Sequence, residues 1–268
     1  MFSAKKLSCI DHLNSSLLEE LQNNEIGAVI IKGVYSKEIC LHLSEQIKQK
    51  MKRGTYANAP LIDRVGKAFF ETLSSENLYE EYFKLSLAMT AELREVFFPY
   101  LSPIDLLRLK LDEIYVQGCN LATLNRKKMF AGLVRFFKEG STAEPHQDII
   151  KRDAKGFDLG THVTGQLAFN LYLQEAQEGG ELHIWNWRPS LAEAKQYQHT
   201  DPKLSYGLNL RQTPKENPDL RIQVEAGDFI FFNSRNVHAV STIGSGERIS
   251  VSSFIGYRGA AQSLQLWS

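Results

Sequence analysis

The sequence predicts a mainly β protein, a sandwich or barrel in the second half of the chain with flanking helices ahead of it. Three observations predict this. From about residue 129 onward, short apolar or alternating runs recur at strand length. Glycine-centred turn signals fall between them, at Gly140, Gly179-Gly180, Gly227-Asp228 and Gly244-Ser245-Gly246. Before that point the apolar residues follow helical spacing instead. Many short strands with glycine turns favour an all-β core over alternating βαβ units.

Residues 13–24 read as an amphipathic helix, and Gly27 to Ile31 as a short β-branched strand closed by Gly33. Ser36 is placed to cap a helix over 37–52. Residues 77–97 and 103–114 read as two further helices with a scaffold role. The expected strands are 131–137, 165–173, 181–186, 220–225, 229–233, 237–242 and 248–255. The interval 187–219 holds a helical piece at 190–197 and then Pro202, Pro214 and Pro218. An insertion of that length in a compact β domain suits a lid. The expectation is a single domain over 1–268, with 1–128 mostly helical, a β core over 129–256 and a lid over 187–219.

Composition narrows the function. The 268 residues are 43% hydrophobic and 23% charged, ordinary globular values. Lys+Arg and Asp+Glu both number 31, and the pI is near 7.1, so no overall field recruits nucleic acid or anionic lipid. Cys9, Cys40 and Cys119 are far apart, odd in number and form no CxxC pair. A disulfide framework and a cysteine-rich zinc site are thus not expected, and a reducing compartment is. No apolar run reaches the roughly 18 residues of a spanning helix, and the N-terminus lacks an apolar leader core. The expectation is a cytoplasmic protein with a small-molecule partner; oligomeric state is not legible.

Three segments carry chemistry. His146-Gln147-Asp148 follows Pro145, and in an extended chain residues two apart share a face, which sets an imidazole beside a carboxylate. His238 lies in a second strand-like segment. Arg248-Ile249-Ser250 follows ten residues later, with Arg248 and Ser250 on one face and Ile249 and Val251 on the other. A core-facing arginine is costly without an anionic partner, and a small dicarboxylate supplies one. Two histidines and one carboxylate are the facial set of non-haem Fe(II) oxygenases, which leaves coordination positions open.

With these pieces, together with Gly179-Gly180-Glu181-Leu182 and Gly227-Asp228, the sequence resembles the Fe(II)/2-oxoglutarate-dependent dioxygenases from about residue 27 to 256. The resemblance is specific over 129–255 and looser before. It implies a double-stranded β-helix, a form of jelly roll, with Fe(II) as metal and 2-oxoglutarate and O2 as co-substrates. It also implies His146, Asp148 and His238 as metal ligands, Arg248 as anchor of the distal 2-oxoglutarate carboxylate, and Ser250 and Tyr172 as its neighbours. The segments around Arg135, 166–170 and Gly179-Gly180 look most like small stand-alone oxygenases of free metabolites, including carrier-independent halogenases of amino acids or alkaloids. In those halogenases the carboxylate position is Gly or Ala; here it is Asp148, so the resemblance implies hydroxylation of an unactivated C–H bond.

Other residues have two readings. Asn170 lies on the Gln166-Ala168-Asn170-Tyr172 face, opposite four apolar residues, and so meets solvent or a polar cavity. Trp185 either packs or lines the cavity. Arg152, in the charged run after Asp148, either is solvated or meets a substrate headgroup. Arg135 either reaches solvent or orders the site's carboxylates. Two rival functions remain: a prolyl-type hydroxylase of protein side chains, and a non-enzymatic jelly-roll binding protein, for which an intact Arg248-x-Ser250 has no use.

Overall fold

The computed structural model describes residues 2–56, 59–73, 75–154, 162–197, 210, 213 and 215–268. Over the N-terminal part the elements are β1 (Ala4–Leu7), α1 (Ser15–Asn23), β2 (Ala28–Ile31), α2 (Lys37–Lys50), β3 (Gly54–Tyr56), β4 (Ala59–Val65), α3 (Glu76–Phe97), α4 (Pro103–Ile114) and β5 (Cys119–Leu121). A short hairpin, β6 (Thr123–Leu124) and β7 (Lys127–Lys128), leads into β8 (Leu133–Phe137), β9 (Ala143–His146), α5 (Ile150–Asp153) and β10 (Gly165–Gln174). Then come β11 (Glu178–Gly179), β12 (Leu182–Ile184), α6 (Leu191–Tyr197), β13 (Leu220–Ile222), β14 (Phe229–Asn233), β15 (His238–Val240), β16 (Ile243–Ser245), β17 (Arg248–Tyr257) and β18 (Leu264–Trp267).

Two sheets and a helical layer form the molecule. The major sheet runs β1-β2-β14-β10-β17-β8-β4-β3, extended by β18 on β17 and β5 on β18. The minor sheet runs β13-β12-β15-β9. Alternation along the central strands assigns each face. Leu167, Phe169, Leu171, Phe229, Phe231, Ile249 and Val251 bury against Leu17, Leu43, Ile47, Leu93 and Leu107 of the four long helices. Each such side chain contributes roughly 1.5–3 kcal/mol by burial. Ala168, Tyr172, Ile230 and Phe232 turn the other way and pack on Leu182, Ile184 and Ile222 of the minor sheet. This is a jelly-roll sandwich backed on one side by helices.

The helices predicted from periodicity form within a few residues of their expected ends, and Ser36 caps α2 by accepting from the Ile39 N–H at 3.3 Å. The N-terminal part supplies the expected strand at β2 (Ala28–Ile31) and also β1, β3, β4 and β5, which the mostly helical reading of 1–128 did not anticipate. They continue the major sheet on both edges. Much of the expected 187–219 lid lies outside the described residues; its predicted helical piece is α6. No helix among the described residues is long and apolar enough to cross a membrane.

Gly227-Asp228 fastens the N-terminal strand to the core. Buried Asp228 accepts from Lys32 Nζ at 2.6 Å and from the Gly33 N–H at 3.1 Å. Gly227 accepts from the Val34 N–H at 2.8 Å. Its φ is +93°, and a Cβ there would stand 2.0 Å from the Tyr35 carbonyl oxygen, so only glycine fits. Gly33 has φ +59° with nothing near its missing Cβ. We therefore expect Gly227→Ala to destabilise the chain by about 3 kcal/mol or more, and Gly33→Ala by only about 1 kcal/mol, the ordinary left-handed penalty. Urea midpoints of the two variants check this; equal shifts would contradict the close approach.

Candidate active site

The site forms where β9 and β15 pair across the minor sheet. His146 and His238 are direct cross-strand partners, so both imidazoles leave the sheet on one face, ring centroids 4.3 Å apart. Each ring is oriented by its own chain: Nδ1 of His146 lies 2.6 Å from the Glu144 carbonyl oxygen, and Nδ1 of His238 lies 2.9 Å from that of Asn236. A proton on each Nδ1 serves these bonds and leaves both Nε2 lone pairs facing inward.

Asp148 completes the group, although it does not share a strand with His146. β9 ends at His146, and Asp148 sits in the following loop. That loop is pinned to the turn before β15. The Asp148 N–H donates to the Ser234 carbonyl and Ser234 Oγ donates to the Asp148 carbonyl, both at 3.0 Å. Buried Gln147 donates to the Arg235 carbonyl at 2.7 Å, and the Ile150 N–H donates to Gln166 Oε1 at 2.8 Å. Asp148 Oδ2 thereby lies 3.3 Å from His238 Nε2 and 3.8 Å from His146 Nε2. Ligand atoms from all three residues fall within 4.8 Å of one another, an arrangement that can hold one metal ion.

Electrostatics keep the donors in ligand form. Burial, reinforced by His238, pushes the His146 ring down to about 4, so it is neutral at physiological pH. Burial alone would raise Asp148. The close approach of the His238 and His146 rings and the positive charge of Arg135 outweigh it and hold the carboxyl well below its usual range.

The triad opens into a cavity of about 770 Å³ between the sheets. Arg248, 3% exposed, stands in its wall. Its Nη2 donates to the Tyr172 hydroxyl at 3.0 Å, and its guanidinium lies over the Tyr172 and Phe137 rings, 4.8 and 5.2 Å from their centroids. Nε and Nη1 are buried with no hydrogen-bond partner among the described residues. A buried guanidinium with two orphaned N–H groups in a cavity wall is built for an anion. Ser250, Tyr172 and Asn170 line the same cavity, as their alternation on β17 and β10 required.

Two predicted contacts are not brought to the cavity. Trp185 continues the His183 face of the minor sheet, away from Leu182 and Ile184. It packs with Val237 and Ala239, donates from Nε1 to the Lys215 carbonyl at 3.1 Å, and lines a second hollow behind the sheet. Arg152 turns back on its own loop and donates to the Gln147 carbonyl at 2.6 Å, so it braces the segment between the two donors. Arg135, left open between two readings, does line the cavity, donating to the Tyr56 hydroxyl at 3.3 Å and to Ser252 Oγ at 3.1 Å.

The N-terminal hairpin was missed as part of the site. Tyr56, Leu61 and Ile62 of β3 and β4, with Phe70 and Leu73 after them, wall one side of the cavity. Leu61-Ile62-Asp63-Arg64-Val65 lacks period-2 alternation and follows Pro60, so little in the local sequence marks it as a strand.

Comparison with known proteins now bears on this geometry. The profile of the carrier-protein-independent halogenase WelO5 family matches residues 7–268. The chain belongs to this family, within the Fe(II)/2-oxoglutarate-dependent oxygenases. Among curated proteins it is 29% identical over 149 residues to the L-gamma-glutamyl-L-propargylglycine hydroxylase of Streptantibioticus cattleyicolor. That match covers 55% of this chain and 52%, about half, of the relative. It is 26% identical over 245 residues to the L-isoleucine 3(1)-dioxygenase of Pantoea ananatis, covering 85% of this chain and 79% of that one. The crystal structure of an N-substituted L-amino acid dioxygenase from Burkholderia ambifaria superposes with a TM-score of 0.64 at 16% identity, over 94% of this chain and 91% of that one. This likeness is one of fold. The family's cofactor set of Fe(II), 2-oxoglutarate and O2 suits the donors and the orphaned guanidinium described above.

The depressed His146 value has a consequence for the metal-free protein. The folded ring stays neutral down to about 4, whereas the unfolded chain takes up its proton near 6.5. The unfolded state then binds more protons, so stability present above 6.5 is lost as pH falls towards 4. Urea midpoints with chelator at pH 7, 5.5 and 4 should converge between wild type and His146→Asn. A gap that is constant over this range would show that the ring is not held neutral.

Proposed function

We propose that this chain is an Fe(II)/2-oxoglutarate-dependent hydroxylase of an unactivated C–H bond in a free amino acid or small amino-acid derivative, releasing succinate and CO2. The single observation that carries the reading is Asp148. A carboxylate stands between the two imidazoles, at the position that a halogenase of the resembling group leaves to Gly or Ala. It supplies the third protein ligand and neutralises one of the metal's two charges, so a halide has no place to bind. Cytoplasmic location is proposed with it, in keeping with three free thiols.

In this reading His146, Asp148 and His238 hold Fe(II), which when bound supplies the oxidising chemistry together with 2-oxoglutarate and O2. The chain does the rest. Arg248 offers Nε and Nη1 to the distal carboxylate of 2-oxoglutarate, Tyr172 and Phe137 hold the guanidinium flat between them, and Ser250 adds a hydroxyl from the same face. Tyr56, Ile62 and Phe70 exclude water from the substrate side. A protein side chain as substrate would need an open groove where this hairpin stands. A binding protein without turnover has no use for a buried, unsatisfied Arg248.

Two outcomes test the reading. Arg248→Ala removes a charge-assisted contact of about 1.5–3 kcal/mol, so 2-oxoglutarate affinity should fall roughly ten- to a hundredfold while metal affinity is kept. Unchanged 2-oxoglutarate binding, measured by calorimetry on the zinc-loaded protein, would make Arg248 structural.

Asp148→Gly should lose most hydroxylation. Chlorinated product in high chloride should be at most a minor species, because opening a ligand position does not by itself orient the substrate toward a halide. Mass spectrometry of products decides it: chlorination by the wild-type chain would overturn the hydroxylase reading.

A further inference from the structure

The cavity wall holds a second guanidinium that the co-substrate does not need. On antiparallel β8 and β17, Arg135 is the direct partner of Ser250, and Arg248 is the partner of Phe137. Arg135, Ser250, Arg248 and Ser252 therefore share the cavity face. The two arginines serve opposite ends of that face. Arg248 is bonded to Tyr172 and sandwiched with Phe137 at the start of β17. Arg135 reaches the other way, to Ser252 further along β17 and to Tyr56 of the N-terminal hairpin.

Among the described residues Arg135 makes no ion pair; its two hydrogen-bond partners are hydroxyls. Burial works against its charge, yet Tyr56, Asp148 and Glu71 keep the guanidinium protonated. Asp148 is engaged by the metal in the reading above. With Fe(II), the dianion of 2-oxoglutarate, Asp148 and Arg248 in place, these charges sum to zero, which leaves Arg135 and Glu144 as the charged lining of the substrate side. A half-buried cation so placed favours a ligand that brings its own anion. The walls beyond it, Leu61, Ile62, Phe70 and Phe254, are apolar.

We infer that Arg135 anchors the carboxylate of the substrate itself, and that substrates are therefore acids with a free carboxylate and an apolar body. The inference rests on the hydroxylase reading for the placement of 2-oxoglutarate at Arg248. Tyr56 acts as a positioning residue, since its hydroxyl fixes the Nε side of the guanidinium. Ser252 fixes Nη1, and Nη2 has no hydrogen bond among the described residues.

The test uses the full chain loaded with Zn(II), which does not turn over, in the presence of saturating 2-oxoglutarate. Calorimetry compares L-leucine, L-isoleucine, L-norvaline and L-phenylalanine with their primary amides, which keep the body and remove the negative charge. At least one acid should bind, with its amide at least tenfold weaker. Arg135→Gln should weaken that acid at least tenfold, leave the amide unchanged, and keep 2-oxoglutarate affinity within about twofold; retained 2-oxoglutarate binding also reports an intact fold. Arg135→Lys should recover part of the loss. Equal binding of acid and amide by the wild-type chain, or binding of none of the acids, overturns the inference without using a variant. A fall in 2-oxoglutarate affinity in Arg135→Gln overturns it as well, by making Arg135 a co-substrate residue. Failure of the wild-type chain to bind 2-oxoglutarate at all would instead sink the hydroxylase reading.

Discussion

The register of one strand pair governs the site. His146 and His238 face each other across β9 and β15. A slip of one residue would turn one imidazole to the opposite face of the minor sheet and end any chance of a shared ligand. That register is fixed from several sides. β12 pairs with β15 through Ile184 and His238, placing a fully buried side chain beside the metal donor. Ser234 and Gln147 tie the loop after β9 to the turn before β15. The third donor, Asp148, is therefore held by the same constraint although it lies outside any strand. Phe232 packs edge-on against His238 with ring centroids 4.9 Å apart, so the major sheet buttresses the ring from below.

The major sheet contributes charge where the minor sheet contributes ligands. Its helix-facing side is a continuous apolar layer, and the other side of the same strands carries Tyr172, Asn170, Arg135, Arg248, Ser250 and Ser252. One alternating pattern thus builds both the core that holds the sheet rigid and the polar wall of the cavity. The guanidinium of Arg248 lies against Tyr172 and Phe137, and in the proposed reading an anionic co-substrate would satisfy its remaining N–H groups. Asp148 balances the other side of the cavity. Its presence in a family described by halogenases follows the physics of the site: a protein carboxylate and a halide compete for one position and one unit of charge.

Much of this was legible in the sequence, for identifiable reasons. β14 and the helices α2 to α4 were readable because apolar periodicity and capping agree locally, as at Ser36. The donors were readable because two histidines, a carboxylate and Arg248-x-Ser250 form a set with few other uses. Distant pairing was not readable. Nothing local in Ala4–Leu7 says that it extends a sheet beside Ala28–Ile31, and the hairpin over Gly54–Val65 carries a proline that hides its strand character. Asp148 was assigned to the correct group for an incomplete reason: alternation would bring it near His146, but Ser234, 86 residues further on, is what holds it there. For Trp185, read as packing or cavity lining, alternation with His183 rather than Leu182 favours the packing role that the structure shows. Arg152 takes neither of its two readings alone: its side chain turns back to the Gln147 carbonyl, which charge pattern does not reveal.

The central claim is that one metal and one 2-oxoglutarate are held together by His146, Asp148, His238 and Arg248. A crystal structure of the protein grown anaerobically with Fe(II) and 2-oxoglutarate, with data collected at the iron absorption edge, tests it most directly. The account predicts a single strong anomalous peak bonded to Nε2 of both histidines and to an Asp148 oxygen. It also predicts 2-oxoglutarate running from that peak to Nε and Nη1 of Arg248. Iron bound elsewhere, or the distal carboxylate seated on Arg135 instead of Arg248, would contradict it.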